Sequence, residues 1–312
     1  MKKHTILKRS QTKDFRKDSN VSFFIILGFC VLQLLLAFGG DFLGWTSHNE
    51  FFGSMYLTFC AIAISSIYIM NKDYVLDNQF QKEKMTPTKL LKYFSTMITF
   101  MILFTIPVVV IDMILKNFGL TLMSVSPANE FSDSITDFLY VAIVGPICEE
   151  VIFRGMLQKK IEKYSPVIAI IISALAFGIY HGNFGQIFPM IGTGLILGYV
   201  AHKYGLKWSI VIHVFYNTVI GELFGLLSDA LEKNGEEFVL PLINQTPFAF
   251  TIMLFTFVGV FFIAKHIING QIPFSDYRIK TGKILKVFTS IGFILFFLYN
   301  IGTAVLLIEK VV

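Results

Sequence analysis

Long apolar segments constrain the fold of this 312-residue chain more than any other feature of its sequence. They are about 17–25 residues long, the length that lets a helix cross roughly 30 Å of hydrocarbon. Only 15% of the residues are charged, against about a quarter in soluble domains. The sequence therefore predicts an all-α, polytopic transmembrane helix bundle of about eight or nine spans. Nine segments qualify: 21–40, 53–70, 93–115, 134–158, 166–182, 186–202, 208–227, 247–264 and 287–307.

The basic residues predict how the spans are threaded. With a cytosolic N-terminus and alternating sides, 23 of the 26 Lys and Arg residues are cytosolic, as the positive-inside rule requires. The other three are Lys116, Lys233 and Lys310. Segment 21–38 is longer than the apolar core of a signal peptide, which favours a retained first helix. The net charge of +5 thus reflects membrane topology, and no nucleic-acid partner is predicted.

Polar side chains lie within several predicted spans, where they are costly and usually functional. Glu149 lies 15 residues before the turn at Tyr164, and His181 lies 17 residues after it. At 1.5 Å per residue both rise about 22–26 Å from that turn, so they are nearly level. The complete set comprises Glu149, Glu150, Arg154, His181, His213 and Asn217.

Helical spacing suggests a different role for each pair of these side chains. Glu150 and Arg154 are four residues apart, which suits an ion pair and leaves Glu149 free for chemistry. A carboxylate and an imidazole can activate water. His213 and Asn217 lie one turn apart on one helix face and could donate hydrogen bonds to an oxyanion. The pair 145–146, Gly-Pro, predicts a kink or break just before Glu149.

Other chemistry remains open at this point. Two histidines and a glutamate could bind zinc, but the HExxH signature is absent and the Arg154 charge disfavours a cation. No metal or cofactor is therefore predicted. Cys148 is an alternative nucleophile. For the remaining polar, aromatic and small residues singled out by the pattern, packing or structural roles are expected; these are Asp112, Glu222, Phe177, Gly194 and Gly198.

Three motifs in order resemble those of the CAAX-protease and bacteriocin-processing family of intramembrane glutamic proteases, also called the CPBP or Abi family. They are Glu149-Glu150-x-x-x-Arg154, Phe177-x-x-x-His181 and His213-x-x-x-Asn217. The resemblance implies that Glu149 activates water with help from His181. It also implies an oxyanion hole of His213 and Asn217, with Glu150 and Arg154 as supporting residues.

The resemblance divides the chain into four parts. They are a basic cytosolic tail (1–20), N-terminal transmembrane helices (21–132), a catalytic core (133–228) and C-terminal transmembrane helices (229–312). The implied activity is hydrolysis of a peptide bond in a membrane-anchored or amphipathic peptide or protein. The basic N-terminal tail and the size favour a multi-pass protein of a bacterial cytoplasmic membrane.

Two other functions compete with the peptidase. The first is a non-catalytic scaffold or bacteriocin-immunity protein that binds a partner membrane protein. The intact motif set favours catalysis over that reading. The second is a transporter or proton channel, because buried Glu and His also serve proton relays. Paired broken helices or inverted repeats would support it, and neither is evident in the sequence.

Overall fold

A computed structural model describes residues 2–42, 49–76, 83–122, 134–223, 241–269 and 281–310, which are almost entirely helical. The helices are α1 (Lys2–Phe42), α2 (Asn49–Leu76), α3 (Pro87–Lys116), α4 (Ile135–Phe138), α5 (Gly145–Glu150), α6 (Lys159–Glu162), α7 (Pro166–Tyr180), α8 (Phe184–Tyr204), α9 (Leu206–Phe215), α10 (Pro241–Ile268), α11 (Thr281–Phe288) and α12 (Ile291–Leu306). Three π-helical segments accompany them: π1 (Leu139–Val144), π2 (Val151–Gln158) and π3 (Tyr216–Leu223). Strands β1 (Leu120–Thr121) and β2 (Glu309–Lys310) form one short antiparallel pair.

The helical membrane class is confirmed. Within the described residues, four helices are long and apolar enough to cross a bilayer, and three shorter apolar helices accompany them. The structure differs from the predicted spans at both ends of the chain. α1 begins at Lys2, so the backbone of the basic tail continues the first span as one helix. The last span is interrupted at Thr289, and Ser290 caps a new helix, α12.

Two helices begin where the sequence places a hydroxyl residue before proline. Thr86 accepts a hydrogen bond from the Lys89 amide and is followed by Pro87, the first residue of α3. Ser165 caps α7 in the same way, ahead of Pro166. Such hydroxyls satisfy amides that lack an intrahelical partner, and proline has no amide to lose at that position. The Ser165 cap ends the turn at Tyr164 that the sequence predicts.

No break occurs at Gly145 and Pro146, and the local distortion expected there takes the form of π-helical segments on both sides of α5. α4, π1, α5, π2 and α6 follow one another without interruption through residues 135–162, here called the central helix. In π1 the Gly145 amide bonds to the Tyr140 carbonyl, five residues earlier. By the same pattern Pro146, which has no N–H, leaves the Val141 carbonyl without a donor. The wider π turn lets the helix continue through the proline, and the Val141 carbonyl accepts a hydrogen bond from a side chain of another helix.

The central helix and α8 run parallel and are joined by a regular series of contacts, here called the ladder. Arg154 Nη2 donates to the Gly194 carbonyl at 3.3 Å, and Gln158 Nε2 donates to the Gly198 carbonyl at 2.9 Å. One turn further along each helix, Glu162 accepts a hydrogen bond from His202. Each step advances four residues on both helices, which fixes their common direction and register.

Both glycines of the ladder allow close approach, as their spacing predicts. A Cβ at position 194 would lie 3.0 Å from the Cα of Ala174 in α7, and a Cβ at 198 would lie 2.9 Å from Gln158 Oε1. These gaps are tighter than ordinary van der Waals contact. The packing role of Gly194 and Gly198 is thereby confirmed, and it exposes two mid-helix carbonyls to polar side chains.

Candidate active site

The two adjacent glutamates occupy different environments. The Glu150 side chain is fully buried, whereas 21% of the Glu149 side chain is exposed. Glu150 Oε1 accepts hydrogen bonds from Arg154 Nη1 at 2.8 Å and from His213 Nδ1 at 3.0 Å. The ion pair has the spacing expected from the sequence. Because successive residues of a helix point about 100° apart, Glu149 is directed away from this pair.

His213 lies between the two carboxylates. Its Nδ1 is 3.0 Å from Glu150 Oε1, and its Nε2 is 3.7 Å from Glu149 Oε2. A carboxylate can only accept, so Nδ1 carries a proton. The distance of 3.7 Å exceeds a hydrogen bond but allows an ion pair when the ring is doubly protonated. No described side chain donates a hydrogen bond to Glu149, so its carboxylate retains its lone pairs for a substrate or water.

Arg154 is fully buried and neutralises Glu150. Beyond the ion pair and the Gly194 carbonyl, its guanidinium carbon lies 4.3 Å above the centre of the Phe177 ring. A guanidinium can both fork between oxygen acceptors and stack on an aromatic face, which an ammonium cannot do equally well. Arg154 thus links the central helix to α7 and α8 at the level of the glutamates.

Phe177 has the packing role expected from the sequence, and the side chains that it packs against belong to the site. Its ring meets His181 edge-on at a centroid distance of 4.9 Å and His213 at 5.7 Å. It also carries the Arg154 stack described above.

The backbone of Phe177 also sets the tautomer of His181. His181 Nδ1 lies 2.8 Å from the Phe177 carbonyl oxygen, so Nδ1 is the donor of that bond. In the neutral ring Nε2 then carries the lone pair. His181 interacts electrostatically with Glu149 and His213. A second imidazole therefore lies within electrostatic range of the Glu149 carboxylate.

Asn217 lies in π3 on the side of the site that faces π1. Its Nδ2 donates to the Val141 carbonyl at 2.9 Å, the carbonyl left without a donor by Pro146. Thr218 Oγ1 donates to the adjacent Ala142 carbonyl at 3.2 Å. Asn217 is therefore bonded to the backbone of π1 rather than to the glutamates. One N–H of the Asn217 amide remains for another acceptor, since the group has two.

The remaining polar residues fall outside this cluster. Asp112 is buried, accepts from Thr121 and from the Leu122 amide, and pairs with Lys116 at 2.8 Å. Its expected structural role is confirmed, because it ties the end of α3 to β1. Cys148 is buried. Within the described ranges, no three His, Cys, Asp or Glu side chains are arranged to hold a metal ion.

Comparison with known proteins supports the resemblance drawn from the motifs. Residues 131–219 match the family model described as type II CAAX prenyl endopeptidase Rce1-like. A protein of Mycoplasma capricolum subsp. capricolum, named only as uncharacterized, is 31% identical over 97 residues. That match covers 27% of this chain and 28% of the relative, so the similarity is confined to about a quarter of each. No solved structure matches.

The matched segment contains the whole central helix, α7, α8 and α9, and all six polar site residues. The three motifs therefore lie within the segment that matches the Rce1-like model, in a helical membrane protein. The helices before and after it lie outside the family match.

Proposed function

We propose that this protein is an intramembrane endopeptidase that hydrolyses a peptide bond of a membrane-associated peptide or protein. The observation that carries the proposal is the position of His213, which bridges a fully buried, charge-neutralised glutamate and a second, partly exposed glutamate. The match to an Rce1-like endopeptidase family over the same residues supports the same reaction class. Ionisable groups buried in a membrane helix bundle cost free energy, and such groups usually have a function.

In the proposed reaction Glu149 is the general base. A water held by the Glu149 carboxylate and His181 Nε2 loses a proton to Glu149 as its oxygen attacks the carbonyl carbon of the scissile bond. The resulting tetrahedral intermediate carries a negative oxygen. It collapses when the C–N bond breaks and the proton held by Glu149 passes to the leaving nitrogen. Both acceptors are free for this task because no described side chain donates a hydrogen bond to Glu149 and His181 uses Nδ1 for the Phe177 carbonyl.

His213 and Asn217 are the proposed donors to the oxyanion. His213 can donate through Nε2 only when both ring nitrogens are protonated, since Nδ1 is already bonded to Glu150. An imidazolium there would balance the charge of Glu149, because Glu150 and Arg154 neutralise each other. Asn217 would use its second amide hydrogen. Donors fixed in a water-poor site stabilise developing charge more strongly than they would in water.

A cleavage assay on the purified full-length protein tests this proposal. The substrates are membrane-anchored peptides of three kinds: one prenylated at a C-terminal cysteine, one acylated, and one amphipathic without a lipid. We expect Glu149→Gln and His181→Ala to abolish cleavage of whichever substrate the wild type cuts. Glu83→Gln is the matched control, because Glu83 lies in an exposed ion pair with Lys89.

The assay also separates the alternatives. A chelator should leave activity unchanged, and loss that zinc restores would assign Glu149 and the histidines to a metal site. Cleavage retained by Glu149→Gln would overturn the proposed base. If the wild type cuts no substrate and Glu149→Gln still complements a deletion strain, the scaffold function replaces the peptidase.

A further inference from the structure

A cleft of about 320 Å³ lies between α3, α7, α8 and α10, outside the candidate active site. It is formed by the N-terminal halves of α3 and α7 and the C-terminal halves of α8 and α10. These helix ends belong to the side of the bundle that the positive-inside rule assigns to the cytosol. The face of α8 that lines the cleft carries Leu195 and Tyr199, whereas Gly194 and Gly198 face the central helix. α8 therefore separates the cleft from Arg154 and the glutamates.

The walls of this cleft are almost entirely apolar. Aliphatic side chains from α7 and α10 face aromatic rings from α3 and α8; they include Ile170, Ile263, Phe100 and Tyr199. The volume is near the lower end of the roughly 300–1,000 Å³ range of ligand pockets. A cavity of this size suits part of one extended apolar chain rather than a whole lipid.

One end of the cleft is cationic. Lys92 Nζ lies 2.6 Å from His266 Nε2, so the ammonium donates to the imidazole lone pair. Lys89 and Lys203, which lie near, both pair with Glu83, at 3.4 and 3.3 Å. Lys92 has no such partner, because no described carboxylate lies within ion-pair distance of it. A charged amine at the mouth of an apolar cleft thus lacks a compensating anion.

These observations define a ligand with an anionic head and an apolar tail. We propose that the cleft binds an anionic phospholipid, with its phosphate at Lys92 and His266 and one acyl chain along the apolar walls. The cytoplasmic leaflet is the side that carries anionic lipids, and basic pockets between helices on that side hold their headgroups. The proposal does not depend on peptidase activity.

Native mass spectrometry of the purified full-length protein, titrated with dioleoylphosphatidylglycerol in detergent, tests the site. We expect saturable binding of one lipid that Lys92→Gln weakens about fivefold, since each basic residue near a membrane surface contributes about 1 kcal/mol to such binding. Lys265→Gln is the matched control, because Lys265 is an exposed lysine of α10 that does not line the cleft. Equal weakening by both variants, or equal binding of dioleoylphosphatidylcholine, would overturn the proposal.

A second pair of variants tests the apolar part of the site. Ile267→Trp adds bulk to a cleft-lining position that is 63% exposed, whereas Ile268→Trp adds it at a neighbouring position outside the lining that is 82% exposed. We expect only Ile267→Trp to weaken lipid binding, with both variants melting like the wild type by circular dichroism. Inorganic phosphate at millimolar concentration should not displace the lipid. Displacement by phosphate, or unchanged binding in Ile267→Trp, would show that the acyl chain does not occupy the cleft.

Discussion

Substitution of Arg154 by Met should destabilise the protein strongly, because it leaves a buried charge without its partner. Arg154 and Glu150 are both fully shielded from solvent, and 2.8 Å separates Nη1 from Oε1. Removing one member of a buried ion pair costs about 3–5 kcal/mol. Met preserves much of the apolar contact with Phe177, so the loss reports on charge more than on packing. The measurement is equilibrium unfolding in detergent micelles, followed by circular dichroism.

The double variant Glu150→Gln/Arg154→Met provides the decisive comparison. With both charges absent, no uncompensated ion remains, so we expect it to recover at least about 2 kcal/mol relative to Arg154→Met. Lys89→Met is the control, since an exposed ion pair contributes less than about 1 kcal/mol. If Arg154→Met unfolds like this control, or if the double variant is no more stable than Arg154→Met, the ion pair does not hold Glu150 in place.

Three further predictions use the same unfolding measurement. Gly178→Ala would push a methyl group into a backbone carbonyl of α8 and should cost about 1–3 kcal/mol, whereas Gly28→Ala, with nothing within 4 Å, should not destabilise. Asn217→Ala should cost about 1–3 kcal/mol by leaving the Val141 carbonyl unpaired, and adding Pro146→Ala should recover part of this by restoring an N–H; no recovery would contradict the role given to π1. Burial raises the pKa of Glu162, but hydrogen bonds from His202 and Lys159 outweigh it and hold that pKa at about 2. Because the pKa is lower in the folded state, the ionised carboxylate stabilises the fold above the unfolded pKa of about 4.5, and this stabilisation is lost as the pH falls toward 2. Glu162→Gln should therefore lower the free energy of unfolding by roughly 3 kcal/mol at pH 7 and have no effect near pH 2. A difference that does not change with pH would refute this.

The class of fold could be predicted because the bilayer imposes it on the sequence. An apolar run must be long enough to cross the hydrocarbon and must satisfy its backbone internally, so length and hydropathy alone indicate a helix. The start of α7 could also be predicted, because the Ser165 cap and Pro166 involve only residues close together in sequence. The central helix and α8 are parallel, as alternating spans predict for two helices that are separated by one other span.

The pattern at Gly145 and Pro146 shows where local rules fail. Proline in a helix interior usually kinks or breaks the helix because it removes a backbone hydrogen bond. Here π1 widens the turn, and Asn217 and Thr218, each 76 residues away in sequence, supply the missing donors to the affected carbonyls. The sequence predicted a distortion here but not how it is accommodated, because the compensating groups belong to another helix.

The sequence by itself determined a helical membrane protein, the polar residues inside its spans and the pairing of Glu150 with Arg154. Each follows from spacing along one helix or from the cost of polarity in lipid. Only the tertiary structure decided that His213 bridges both glutamates, that Phe177 supports three site side chains, and that Asn217 bonds to π1. These depend on the rotation and register of separate helices, and close packing at Gly194 and Gly198 sets that register for α8 against α7 and the central helix. A shift of one residue in that register would turn a side chain by about 100° and separate the polar side chains of the site.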